Sequence, residues 1–320
     1  MGYHGKPSFF DLTSEQGLLR ASILVTLFIA MIGIAFGLAS GSFSIIFDGV
    51  YSLVDANMSG LSLLVVNLIT SHARNSQMSR KLRERFTMGF WHLEPMVLAL
   101  NGMLLAGVAV YALINAVSNL LQGGRDLEFG VALVYALLTL IVCVIIAIIE
   151  ARANRTIGSD FVRMDIKGWV MSASITAALL LAFVFGYAVQ GTEWEWMSPY
   201  IDPAVLALVC LIIIPLPMSV VRQALADILL VTPSELKQHV DTVAQTFVAK
   251  YHLQSYRAYV AKVGRSREIE LYFIVAPSMA AKPISEWDAL RDEIGAALGG
   301  EGPDRWLSVV FTGDPAWAEC

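Results

Sequence analysis

Charged residues are scarce in this chain of 320 residues, at 15% of the total, whereas hydrophobic residues reach 56%. An average soluble domain carries about 25% charged residues, so this chain has too few charges to cover a water-facing globule of its size. The composition therefore excludes an ordinary soluble enzyme. The net charge of −5 argues against a nucleic-acid-binding protein, which needs a basic surface, and we predict no nucleic-acid partner.

Cysteine and histidine are rare as well. Cys143, Cys210 and Cys320 are odd in number and far apart, which fits neither a disulfide framework nor zinc-finger spacing. None of the five histidines has an Asp or a second His four residues later, so we expect no metal site built on histidine pairs. The motifs Walker A, G-x-G-x-x-G, G-x-S-x-G and H-E-x-x-H are absent from the sequence. We therefore predict neither enzyme activity nor a bound cofactor.

Long apolar runs are what the sequence has instead. Crossing a bilayer takes about 20 residues. The chain starts with a polar segment before an apolar run of that length, which predicts no cleavable signal peptide. Six runs are long enough to span a lipid bilayer, at 18–39, 43–70, 95–121, 127–149, 166–190 and 201–226. We predict a multi-pass protein of a bacterial inner membrane, with an N-terminal segment at 1–17 and a six-helix transmembrane domain at 18–230.

The basic residues are distributed unevenly between the loops. The loops 40–42, 122–126 and 191–200 together hold one basic residue, Arg125. The loops 71–94 and 150–165 hold Arg74, Arg80, Lys81, Arg83, Arg85, Arg152, Arg155 and Arg163. Because loops rich in Lys and Arg stay in the cytoplasm, we predict that these two loops and both termini are cytoplasmic.

The last part of the chain has a different character. An amphipathic helix follows Thr232 and Pro233 and continues to Tyr251, as a cap, a first-turn proline and an acid predict. Two alternating segments predict strands, a second helix stops at a Gly pair, and a third strand follows; the segments are 255–263, 266–276, 284–298 and 305–312. We predict a cytoplasmic α+β domain at 231–320 with the order α-β-β-α-β.

Acidic residues lie inside two of the predicted spans, where ionisable groups are costly and usually functional. Asp48 and Asp55 are seven residues apart, which is two helical turns, so both share one face with Ser52 between them. Asp165 and Ser172 have the same spacing in the fifth span. Two facing helices with these oxygen atoms would form a path for a hard cation, since zinc prefers His or Cys.

A structural interpretation of these acids stays open beside the functional one. They could pair with Arg163 or Lys167, or cap helix ends, without binding any ion. In the first span, Gly33, Gly37 and Gly41 recur every four residues, which predicts close helix packing. In the sixth span, Pro215 and Pro217 predict a kink.

Several motifs together resemble the cation diffusion facilitator family of metal cation/proton antiporters. The segment 41–55, GSFSIIFDGVYSLVD, is similar to the second span of that family, and MGFWHLE at 88–94 is similar to the start of its third span. Val162-Arg163-Met164-Asp165 and Asp202-Pro203 resemble the starts of its fifth and sixth spans. The resemblance implies six spans, a C-terminal dimerisation or regulatory domain, a homodimer, and exchange of a cation for protons.

The same resemblance indicates where a metal would bind. The four ligand positions of the family fall on Tyr51, Asp55, Gly168 and Ser172, and only Asp55 is a carboxylate. A tetrahedral zinc site needs four good donors, so zinc is not the expected ion.

We therefore expect a secondary transporter that exports a cation, a divalent metal other than zinc, in exchange for protons by alternating access. Asp55 would be the central ligand and proton carrier, with Asp48 toward the outer mouth and Asp165 toward the cytoplasmic mouth. The neutral oxygens would come from Tyr51, Ser52 and Ser172. The alternative function is a membrane sensor or scaffold that keeps the fold without transporting.

Overall fold

A computed structural model describes residues 15–73, 84–86, 89–157, 160–302 and 304–319. Most of the predicted N-terminal segment, and the basic residues Arg74, Arg80, Lys81 and Arg83, lie outside the described residues. Within the described ranges, six helical segments are long and apolar enough to cross a membrane. The prediction of six spans is confirmed.

Five of the six spans are single helices. These are α1 (Glu15–Ser40), α2 (Phe43–Ala73), α3 (Leu93–Leu121), α4 (Phe129–Ile157) and α5 (Asp160–Val189). The fourth span continues well beyond its expected end at 149, because the helix persists through the polar residues that follow the apolar run.

The sixth span is broken. A 3₁₀ turn at Glu195–Met197 precedes α6 (Ser198–Ile213), and α7 (Pro215–Ile228) follows after Ile214. Pro215 and Pro217 have no N–H to donate to the preceding turn, so the regular helix is interrupted at this point, where the sequence predicts a kink.

The described residues fall into two compact units. Unit 1 comprises Met1–Leu61 with Leu100–Ser219, and unit 2 comprises Ser62–Ala99 with Val220–Cys320. In unit 1, one buried cluster joins α2, α4 and α5 through Ile45, Tyr135 and Phe183. A second cluster joins α2 to α3 and α6 through Phe47 and Leu206, among others.

Glycines allow α1 and α2 to lie in backbone contact. A Cβ added to Gly37 would lie 2.6 Å from the Ile46 side chain, and one added to Gly49 would lie 2.8 Å from the Ala30 carbonyl oxygen. Gly33 and Gly37 therefore form the packing ridge that the sequence predicts. Gly41 has another role, since its φ of +76° places it in the left-handed turn that separates α1 from α2.

The N-terminus of α2 is fixed by an acid from the sixth span. The Asp202 carboxylate, which is 2% exposed, accepts hydrogen bonds from the Ser42 hydroxyl at 2.6 Å and from the Phe43 N–H at 3.0 Å. The Ser42 hydroxyl oxygen also accepts from the Ile45 N–H at 3.2 Å. A negative group at a helix N-terminus is stabilised by the helix dipole, so Asp202 positions the helix that carries Asp48 and Asp55.

The C-terminal part of unit 2 is the α-β-β-α-β module that the sequence predicts. Its elements are α8 (Ser234–Tyr251), β1 (Ser255–Val263), β2 (Ser266–Ile274), α9 (Ile284–Leu298) and β3 (Arg305–Thr312). A 3₁₀ turn at Pro315–Ala318 follows β3. The strand order is β1-β2-β3, with β1 antiparallel and β3 parallel to β2. Parallel pairing needs a crossover, which α9 provides.

The core of this module lies between the two helices and one face of the sheet. Phe247 from α8, Leu271 and Phe273 from β2, and Ile294 from α9 are all buried there. α8 ends at His252, whose φ of 54° is left-handed and stops the helix.

The turn between β1 and β2 contacts the beginning of α3 within unit 2. Arg265 Nε lies 3.0 Å from Oε2 of Glu94. Gly264 has a φ of +60°, and a Cβ there would lie 3.1 Å from Pro95 Cδ. The Glu94 carboxylate raises the pKa of the Arg265 guanidinium by accepting its hydrogen bonds. The turn therefore has both the shape and the charge to bind at this helix end.

Candidate functional site

A cavity of about 160 Å³ lies inside unit 1, between α1, α2, α4, α5 and α6. One water molecule requires about 10–15 Å³ by this measure, so there is room for a partly hydrated ion. All six side chains that the sequence analysis proposes as cation ligands line it: Asp48, Tyr51, Ser52, Asp55, Asp165 and Ser172. The structure brings the six together, while their binding of an ion stays a prediction.

The α2 wall of the cavity follows from helical periodicity. Ser44, Asp48, Ser52 and Asp55 recur at spacings of three or four residues, and all four line the cavity. Tyr51 lies beside them, and its ring contacts that of Phe47 with centroids 5.5 Å apart. One face of α2 therefore presents two carboxylates and three hydroxyls to the same space.

Asp48 has a neutral partner. The Tyr135 O–H donates a hydrogen bond of 2.9 Å to Oδ2 of Asp48. Tyr135 is 1% exposed and belongs to the buried cluster between α2, α4 and α5. The sequence analysis did not identify Tyr135, and its one signal was a hydroxyl within an otherwise apolar run.

Asp55 is exposed to the cavity and interacts with groups from two other helices. The Asn101 side chain of α3 hydrogen-bonds to it, and the Asp165 carboxylate of α5 interacts with it electrostatically. Oδ1 of Asn101 is buried without a hydrogen-bond partner. Asn101 was also missed, although an amide in an apolar span is a signal of the same kind as an acid.

The α5 wall contains Asp165, Gly168 and Ser172. The Ser172 hydroxyl lies 3.7 Å from Sγ of Cys143. Nothing lies within 4 Å of a Cβ added to Gly168, so the position that carries a ligand in the resembling family is open space here. The indole N–H of Trp169 donates to Oγ of Ser22 at 2.8 Å.

The described residues bear on the pairing interpretation of the acids. Among the described residues, no Lys or Arg forms an ion pair with Asp48, Asp55 or Asp165. The described part of the chain also holds no group of three or more His, Cys, Asp or Glu side chains placed to bind one metal ion. The donor set is therefore carboxylates supplemented by hydroxyls, which suits a hard, partly hydrated cation better than zinc.

A further acid, which is buried, lies next to this set and was missed. Glu150 in α4 is 1% exposed, and its carboxylate interacts with that of Asp165. The sequence analysis ended the fourth span at 149 and therefore counted Glu150 as a loop residue. Helical periodicity was the available signal, because Cys143, Ala147 and Glu150 continue one buried stripe of α4.

Six spans, an acid-lined cavity and a separate α+β module define a multi-pass membrane protein of the cation transporter class. The model of the cation efflux transmembrane domain matches residues 19–229. The chain therefore belongs to the cation diffusion facilitator family, and it is a cation transporter of that type. A comparison with curated proteins gave no significant match.

Proposed function

We propose that this protein exports a cation in exchange for protons by alternating access, with Asp55 as the central ligand and proton carrier. The observation that carries the proposal is the convergence of Asp48, Asp55 and Asp165 on one cavity without a Lys or Arg partner among the described residues. Acids in a membrane domain are expensive unless something positive neutralises them. A bound cation and a proton can each do so.

The ion class follows from the donor atoms. Carboxylate and hydroxyl oxygens favour hard divalent ions such as Mn²⁺ or Mg²⁺ over zinc. Because the cavity has room for several water molecules, the ion need not shed its whole hydration shell, which Mg²⁺ does reluctantly.

Coupling to protons has a simple physical basis in this set. When a carboxylate in apolar surroundings loses its bound cation, it is neutralised again by binding a proton. Asp55 is the best placed acid for this exchange, since it faces the cavity and interacts with both Asn101 and Asp165. The break at Ile214 is a candidate flexing point for the change of access.

The remaining parts of the proposal concern assembly and orientation. We propose a homodimer in a bacterial inner membrane with both termini and the α+β module in the cytoplasm, and without enzyme activity. The Lys and Arg bias of the loops supports the orientation, and the family match supports the dimer by resemblance.

The deciding experiment is reconstitution of the purified chain in liposomes with an internal pH dye. Mn²⁺, Mg²⁺, Fe²⁺, Zn²⁺, Na⁺ and K⁺ are added in turn. The wild type should move protons with one of the hard divalent ions, and Asp55→Asn should not. Glu193→Gln is the matched control, because Glu193 is exposed and does not line the cavity. If no ion moves protons faster in the wild type than in Asp55→Asn, the proposal is wrong.

A non-transporting sensor or scaffold is the second candidate. The observation in its favour is that Tyr51, Gly168 and Ser172 replace the usual ligands of the family. This function requires the cellular phenotype to survive Asp55→Asn and to disappear when 233–320 are deleted. If the cellular phenotype disappears in Asp55→Asn, the sensor or scaffold function is eliminated.

A further inference from the structure

A charged side chain, Glu150, lies buried inside unit 1. It is 1% exposed, and both of its carboxylate oxygens are buried without a hydrogen-bond partner. Among the described residues, no Lys or Arg forms an ion pair with it. An ionised carboxylate left in this state is strongly unfavourable, so either a proton or a bound cation must neutralise it.

The surroundings of Glu150 provide further oxygens. Its carboxylate interacts with that of Asp165, whose Oδ2 is also buried without a partner. The Ser22 hydroxyl of α1 lies in the same cluster and interacts with Glu150. Trp169 donates its indole N–H to Oγ of Ser22 at 2.8 Å, which fixes the position of that oxygen. Three helices therefore each direct one polar side chain toward a common point.

We propose that Glu150, Asp165 and Ser22 form a second cation-binding site, adjoining the cavity that contains Asp48 and Asp55. Glu150 contributes two oxygens, and Asp165 and Ser22 contribute one each. Four oxygen donors leave the remaining positions of a six-coordinate hard ion to water, as Mg²⁺ and Mn²⁺ prefer. With only two acidic ligands the site binds weakly, which suits an ion that must leave again.

Asp165 gives the two sites a shared member. It lines the cavity and interacts with Asp55, and it also interacts with Glu150. A cation can therefore pass from Glu150 to Asp55 without leaving carboxylate contact. This transfer role rests on the proposed transport function, whereas binding at Glu150 does not.

The test is a titration of the full chain with Mn²⁺ in detergent. Electron paramagnetic resonance measures the free Mn²⁺, and the difference from the total gives the number of ions bound per chain. The wild type should bind one ion at the cavity and a second at Glu150. Glu150→Gln should lose one of the two and keep the other, and Asp55→Asn should lose the complementary ion. Glu193→Gln, which alters an exposed acid, should keep both.

Ser22→Ala provides a second variant that keeps both acids. It should lower the affinity for the Glu150-dependent ion roughly tenfold and leave the affinity for the Asp55-dependent ion unchanged. Equal binding by Glu150→Gln and wild type overturns the proposal, and so does a wild type that binds a single ion removed by Asp55→Asn alone. Liposome transport separates the two proposals. If an ion binds in a Glu150-dependent way but no ion is transported, the second site is supported and the transporter function is wrong.

Discussion

The phenolic hydroxyl of Tyr135 in α4 donates a hydrogen bond of 2.9 Å to Oδ2 of Asp48 in α2. A Cβ added to Gly33 of α1 would lie 2.6 Å from the same hydroxyl oxygen. Three helices therefore meet at one polar contact beside the cavity. The missing side chain at Gly33 makes room for the hydroxyl, and the hydroxyl holds Asp48 in place without cancelling its charge.

Tyr135→Phe should destabilise the protein by about 1–3 kcal/mol, since it leaves Asp48 without its donor. Thermal unfolding in detergent measures the change. In the Asp48→Asn background the same substitution should cost less, because the acceptor has changed. Tyr187→Phe is the control, as Tyr187 is 59% exposed. Equal costs in both backgrounds would show that the hydrogen bond contributes nothing measurable.

Gly37→Ala should destabilise the membrane domain by about 1–3 kcal/mol, the range for overpacking. Its Cβ would lie 2.7 Å from the backbone nitrogen of Ile46, which cannot rotate away as a side chain can. Gly130→Ala is the matched control, because a Cβ at Gly130 meets nothing within 4 Å. Thermal unfolding of both variants checks the difference, and indistinguishable melting temperatures would mean that α1 and α2 separate at no cost.

Asp202→Ala should lower stability by about 1.5–3 kcal/mol, because it removes the charged acceptor of hydrogen bonds from Ser42 and Phe43. Asp202→Asn keeps an acceptor oxygen and should cost less. Urea titration of helicity in detergent measures both values. Asp202 is absent from the cavity lining, so Mn²⁺ bound per folded chain should not change, in contrast to Asp55→Asn. Loss of the bound ion in Asp202→Asn would show that ion binding depends on Asp202, either as a ligand or through the position of α2.

Glu293 should stabilise the C-terminal module at neutral pH and lose that effect in acid. Hydrogen bonds from Lys250 and from Tyr251 hold the pKa of Glu293 below its usual value. A carboxyl whose pKa is lower in the folded state stabilises the fold above its unfolded pKa, and that contribution disappears as the pH falls through the folded pKa. The effect is small because the groups are exposed.

Glu293→Gln should therefore weaken protection of the α9 amides at neutral pH, and the difference from wild type should shrink below about pH 4, where the wild-type carboxyl becomes protonated. Hydrogen exchange on the full chain measures this at each pH. Glu286→Gln is the control, since Glu286 contacts Lys282 only at 3.9 Å. A difference that grows as the pH falls would contradict the assignment.

Much of the fold follows from local pattern. The strands at Ser255–Val263 and Arg305–Thr312 and the helix at Ile284–Leu298 have the bounds that alternation and the Gly stop predict. The shared face of Asp48, Ser52 and Asp55 also follows, because helical spacing alone places them together. Glu150, Tyr135 and Asn101 could not be assigned in this way, since their role depends on which helices are neighbours.

The sequence by itself determined that the chain crosses a membrane six times, kinks its last span at two prolines and places acids where lipid disfavours them. These outcomes depend on hydropathy, on the missing proline N–H and on a period of 3.6 residues, all of which are local. Only the tertiary structure decided that the acids of α2 and α5 line one cavity, that Tyr135 and Asn101 hold two of them, and that Glu150 adjoins Asp165. Such contacts join residues far apart in the chain. They depend on how closely whole helices pack, and the glycines set that distance.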